Sequence, residues 1–225
     1  MAITSTPTSY YEYRKHQGYI DLVNDTLKAA LLESGCTLDK NKHKAFTAPE
    51  WVADSFYSEG DTVVPTQSTG GTGFIMKCID HGTGTEGSSG STEPNWPLNE
   101  TNPFGNTVAD GDLVWEVWSY HVAEEELSSA GGYVQDALTQ DDSDSGPVED
   151  ENGNLAYVAY DDLIFEADST GDFDETEACV FYDDSDPQKT VIALIDFGTQ
   201  YTITSGNNIT LKSPRIESEA QETTI

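Results

Sequence analysis

The chain predicts a mainly β protein: a β-sandwich or jelly-roll-like host domain over residues 1–50 and 119–225, a small all-β module inserted at 51–118, and a short N-terminal helix. Three observations carry that expectation. All four tryptophans, Trp51, Trp96, Trp115 and Trp118, fall inside one stretch. The segments on either side of it read as two halves of a single different domain, and insertion is tolerated where an exposed loop tip can be cut without loss of core contacts. Outside the stretch, the later apolar runs are short and separated by Asp, Pro, Gly and Asn turns, the pattern of an all-β fold.

The elements follow in order. Tyr10 to Gln17 forms two helical turns with aromatics on one side, ended by Gly18. Tyr19 to Val23 leads to a turn at Asn24-Asp25. Thr26 to Glu33 is rich in Ala and Leu, which favour helix, yet it is short and bounded by turn signals. Helix and buried strand stay equally open there. The polar run from Thr37 to Pro49, with Lys40, Lys42, His43 and Lys44, reads as an exposed loop.

Within the module, Gly60-Asp61 opens a turn and strand to Pro65, Phe74 to Ile79 is a second strand, and His81 to Thr92 is a surface loop. Asp110-Gly111 signals a two-residue hairpin before the closing strand Leu113 to Trp118. The host then resumes with Glu126 to Leu138 and a very acidic stretch from Asp141 to Asn154, where Asn152-Gly153 is a further hairpin turn. Ala156 to Phe165 reads as a strand pair or bent strand. Ala178 to Tyr182, Thr190 to Ile195 and Ile203 to Leu211 are strands. The continuous apolar run Val191 to Ile195 predicts burial on both faces.

Charge limits the partners. The 225 residues carry 41 acidic and 10 basic side chains, a net charge of −31, and no Lys or Arg occurs between Lys77 and Lys189. Nucleic-acid affinity comes largely from Lys and Arg displacing counterions, so no nucleic-acid partner is expected. Anionic lipid is repelled for the same reason, and no run approaches the ~18 apolar residues of a membrane span. Met1 to Ser9 lacks a positive segment followed by an apolar one, so no secretory signal is visible and the expectation is a soluble chain made in a cytoplasm. Cys36, Cys78 and Cys179 are odd in number and widely spaced, which argues against a disulfide framework.

Signals for chemistry are weak. His16, His43, His81 and His121 lie in unrelated contexts, with no GxSxG elbow and no HExxH helix, and no enzyme is expected. No cofactor is expected either, with calcium as the inorganic alternative. Asp141 to Gly146 alternates oxygen ligands before a glycine, although the twelfth position is Asn152 rather than Glu. Asp183, Asp184 and Asp186 form a second hard-oxygen cluster. Solvated acidic loops are the simpler reading of both. Trp51, Tyr57, Phe74, Trp96 and Trp115 offer a stacking platform for pyranose rings, extended if Trp96 and Trp118 lie exposed side by side. In so small a unit, large aromatics also serve as core.

The ordered set Gly60-Asp61, Glu93-Pro94, Trp96-Pro97, Asp110-Gly111 and Trp115 resembles a small module that recurs in bacteriophage virion proteins, over Trp51 to about Trp118, with a longer loop than usual. The host halves are similar to a family of phage virion structural proteins. The matching residues are Gly18, Ile20 to Leu22, Asp25-Thr26, Lys28 to Leu32, His43, Gly131 to Tyr133, Tyr160 to Leu163, Phe181 to Asp184 and Leu194 to Gly198. The resemblance implies a non-enzymatic virion structural protein, and the expected role is that of a capsid decoration (cement) protein on the outer head surface of a virion assembled in the host cytoplasm. It implies the major capsid protein or other virion proteins as partners, and a homo-oligomer. Tyr10, Tyr11, Tyr13, Arg14 and Lys15 are the candidates for capsid contact. The alternative is a tail or adsorption protein whose module binds host surface glycans through Trp51, Tyr57, Trp96 and Trp118.

Overall fold

The structure, a computed structural model, describes residues 5–66, 73–98, 102–140, 147–149 and 155–219. It is mainly β, with one short α-helix and several antiparallel sheets. The chain divides into two compact units, one of residues 1–41 and 125–225 and one of 42–124. No helix among the described residues is long and apolar enough to cross a membrane.

The first unit is built on a five-stranded antiparallel sheet in the order Thr6–Pro7, Val191–Tyr201, Thr176–Asp183, Leu27–Glu33, Asp136–Ala137. Leu27–Glu33 resolves the open choice as strand, because five of its seven residues are buried, more than the single stripe of an amphipathic helix provides. Pairing on both edges, with Thr176–Asp183 and Asp136–Ala137, overrides the local helical preference of Ala and Leu. Leu27, Ala29 and Leu31 alternate into one apolar cluster with Phe181, Ile192 and Ile195 of the same sheet.

Two smaller sheets supply further side chains of that cluster, among them Val158, Leu163, Phe165, Leu211 and Ile216. Leu155–Ala159 lies between Val148–Glu149 and Arg215–Glu219, while Leu163–Glu166 pairs with Asn208–Leu211. The expected strand pair or bent strand over 156–165 is therefore two strands in two sheets. Only Asn208–Leu211 of the expected strand 203–211 forms, since Gly206 at φ +77° sits in a turn before it. The turn expected at Asn152-Gly153 lies outside the described residues.

The helix Ser9–His16 forms where the sequence places it. The Thr8 hydroxyl accepts from the Tyr11 amide at 3.1 Å and donates to the Val191 carbonyl at 2.6 Å, so one side chain caps the helix and pins it to the sheet. Gly18 at φ +75° closes it in a Schellman motif, with the Gly18 and Tyr19 amides donating to the Lys15 and Arg14 carbonyls.

The unit 42–124 has a four-stranded antiparallel sheet in the order Thr62–Val63, Phe74–Asp80, Leu113–Tyr120, Thr107–Asp110, and a short pair Phe56–Tyr57 with Gly87–Ser88. Its ends extend beyond the expected 51 and 118. The Tyr120 amide donates to the Lys42 carbonyl, Ala45 bridges His121, and the Ala123 amide donates to the Phe46 carbonyl. The loop expected to be exposed over 37–49 accordingly buries His43, Ala45 and Phe46. The turn between the last two strands is Gly111-Asp112, one residue later than expected, and it leaves Asp110 as the final strand residue. The stretch 81–92 is also less open than expected, because Gly87 packs against the His81 carbonyl and Ser89 is buried.

Candidate functional site

The four indoles of the second unit are between 0 and 9% exposed. The glycan platform expected of Trp51, Tyr57, Trp96 and Trp118 is absent, and the reason is visible in their bonds. Trp51 and Trp115 both donate through Nε1 to Oδ2 of Asp110, at 2.8 and 3.0 Å. Asp110 is 4% exposed, and its other oxygen accepts from the Gly90 amide at 2.7 Å. A buried carboxylate is tolerable when donors surround it, and here three converge. Trp96 donates to Glu93 Oε1 and stacks edge-on against Trp115, as does Tyr57. The ammonium groups of Lys44 and Lys77 both lie over the Trp118 ring, at 5.3 and 5.4 Å. These aromatics are the core of a small unit.

One hydroxyl, imidazole and carboxylate run occurs among the described residues. Thr47 Oγ1 is 3.0 Å from His121 Nε2, and His121 Nδ1 is 3.7 Å from Glu124 Oε1. The second distance is beyond a hydrogen bond. The run joins the two ends of its unit, where Ala45 also bridges His121. Burial pushes the Cys36 and Cys78 thiols up to about 12 and about 11, and the fully buried Cys179 thiol is raised as well, so the unreactive thiol dominates at neutral pH.

The acidic cluster 183–186 does not converge on one point. Asp184 pairs with Lys28 at 2.9 Å and Lys189 at 2.8 Å, and Asp186 pairs with Arg14 at 2.7 Å and accepts from the Thr190 hydroxyl. No group of three His, Cys, Asp or Glu side chains suited to a metal occurs among the described residues. The alternative at Asp141 to Gly146 lies outside them.

The N-terminal helix carries the surface with most to offer a partner. Two of its five expected contact residues turn inward. Tyr11 is fully buried in the main core, and Arg14 is committed to Asp186 while its guanidinium covers the Tyr19 ring at 4.1 Å. Tyr10 is half-buried and donates to Gln188 Oε1 at 2.5 Å. Tyr11, Arg14 and Tyr10 therefore hold the helix in place. A helix lying on a sheet must bury one side, and the alternation of Tyr11 and Tyr13 puts them on different sides.

What remains outward on the helix is Tyr13, 56% exposed, with His16 three residues on, while Lys15 is half-buried with its ammonium over the Tyr11 ring at 5.5 Å. The structure adds Tyr19, 59% exposed, and Val23. Lys15 and Val23 line a cavity of about 420 Å³, together with Ile20, Leu22, Tyr157, Val158 and Ile216 among others. Burial lowers the pKa of Lys15, and Glu12 opposes that shift. Sequence reasoning did not offer Tyr19 or Ile20 as contact residues. Their signal was an apolar run directly after a helix-stopping glycine, with no strand for it to join.

Compared with known proteins, the chain matches no family model, no curated protein and no solved structure.

Proposed function

We propose that this chain is a non-enzymatic structural component of a bacteriophage virion, a decoration protein that binds the outer surface of the head through the face around its N-terminal helix. One observation carries the reading. On a chain of net charge −31, Tyr13 on the helix and Tyr19 just after it are exposed, and Lys15 and Val23 of the same segment line an apolar cavity. Aromatic side chains beside cationic ones are typical anchors of protein interfaces. The Schellman closure and the Arg14 to Asp186 ion pair hold them in place before binding, which reduces the ordering cost of association.

The remaining surface is acidic and suits solvent. Many copies bound across the seams of an assembled shell stabilise it by mass action, since they bind the assembled state and not its free subunits. The family resemblances of both the host halves and the module point the same way. Cosedimentation of the purified chain with head shells lacking it tests the proposal. Shell binding at micromolar chain, weakened at least tenfold by Tyr13→Ser with Tyr19→Ser, is the expected result. Binding unchanged by the pair, or no binding to shells, overturns it.

A further inference from the structure

Asp183 ends the strand Thr176–Asp183 and is 1% exposed. Its Oδ1 is saturated by the Ser185 amide at 2.8 Å, the Ser185 hydroxyl at 2.6 Å and the Asp186 amide at 3.0 Å. Its Oδ2 is buried and meets no hydrogen-bond donor. An orphaned carboxylate oxygen is costly, so a missing partner should be sought nearby.

The neighbouring segment is the turn before Leu27, which pairs with Asp183 in register. The Asp184 amide donates to the Thr26 carbonyl at 2.8 Å, and the Thr26 amide donates to the Ser185 hydroxyl at 3.1 Å. Those bonds bring the Asp25 carboxylate against that of Asp183. Asp25 in turn accepts from the Asp21 amide at 2.6 Å through Oδ2. The basic groups around the pair are already engaged, Arg14 by Asp186 and both Lys28 and Lys189 by Asp184. Asp21 adds a further carboxylate whose oxygens are held by the Val23 and Asn24 amides and the Asn24 side chain.

We propose that Asp25 and Asp183 form a binding site for a divalent cation, with calcium as the fitting ion. The buried, unpartnered Oδ2 of Asp183 supplies one hard oxygen and Asp25 a second. Asp25 is only half-buried, so water has access to complete the coordination shell. With two carboxylates the site belongs to the weak class, with Kd of about 10⁻⁴–10⁻³ M. Both carboxylates must be ionised to hold the cation, so proton and cation compete and calcium binds more tightly as pH rises. The cation joins the turn 21–26 to the turn 183–186, and through Asp186 and Arg14 it steadies the helix.

Thermal unfolding of the full chain with CaCl2 at pH 7.5 and constant ionic strength tests this. At about ten times Kd the expected saturable rise in Tm is about 3 °C, smaller at pH 5.5. Asp25→Asn raises the calcium-free Tm by removing the repulsion and abolishes the calcium response. The control Asp142→Asn with Asp144→Asn keeps it. A response that survives in Asp25→Asn overturns the site, as does no response in a chain stabilised by acid alone, which would mean a shared proton only. Hydrogen exchange on the unaltered chain reads the same point without a variant. Calcium must protect amides within 21–26 and 183–186, and protection confined to other segments overturns the proposal.

Discussion

Replacing Asp110 by alanine removes the acceptor on which two buried indole N–H groups and one part-buried amide converge. The Trp51 and Trp115 indoles share Oδ2 at 2.8 and 3.0 Å, and the Gly90 amide uses Oδ1 at 2.7 Å. Each donor left unsatisfied in a buried site costs about 1–3 kcal/mol, so the three together cost roughly 3–6 kcal/mol after partial relaxation. That is a large share of a domain's total of about 5–15 kcal/mol. Asp110→Asn keeps the volume but turns an amide donor toward one of the N–H groups, and loses about half as much. Urea unfolding followed by tryptophan fluorescence isolates the effect, because all four indoles lie within 42–124. With a slope of about 2 kcal/mol/M, the midpoint for Asp110→Ala falls by at least ~1.5 M. A midpoint within ~0.3 M of the parent would refute the keystone role of this carboxylate.

Further outcomes follow from the same contacts. Arg14→Met strands Asp186, whose side chain is 1% exposed, and destabilises the chain by about 3 kcal/mol in chemical denaturation; a change under ~0.5 kcal/mol is what an ordinary exposed arginine gives. Gly111→Ala places a Cβ 2.4 Å from the Ser88 carbonyl oxygen, whereas Gly206→Ala meets nothing within 4 Å at a similarly positive φ. Both incur the left-handed penalty of about 1–2 kcal/mol, and only the first adds backbone overlap, so its Tm must be lower. Asp184 is held below its ordinary range by hydrogen bonds from Lys189 and Lys28. Its stabilisation is therefore present above the unfolded value of about 4 and is lost as pH falls through the depressed folded value, so Asp184→Asn flattens the acid limb of the Tm profile. Asp183, raised by burial, has the opposite sign, and its contribution fades as pH rises through its folded value.

Much of the architecture was legible because it is local. Gly18 after Tyr10 to Gln17 gives the helix and its stop, and the run Val191 to Ile195 gives the buried first half of the strand Val191–Tyr201. Where long-range pairing decides, the sequence was silent. Ala29 to Leu32 has helical propensity and becomes a strand because Thr176–Asp183 and Asp136–Ala137 flank it. His43 to Phe46 looks polar enough for a loop, yet the Tyr120 amide and His121 close over it. The site was half legible. Charge singled out the basic and aromatic N-terminal segment with Arg14, Lys15 and the tyrosines against an otherwise acidic chain. Whether a given tyrosine faces core or solvent depends on the sheet beneath it, and so Tyr11 was misjudged while Tyr19 was not offered as a contact residue. The tryptophans failed as a platform for a similar reason, because Asp110 lies far from Trp51 in sequence and draws its indole inward.

Cryo-electron microscopy of the purified virion that carries this chain, with its copies counted and oriented, tests the central claim most directly. Hundreds of copies on the outer head surface, with Tyr13 and Tyr19 against the shell, are the predicted result. A few copies confined to the tail, or none in the particle, would contradict it.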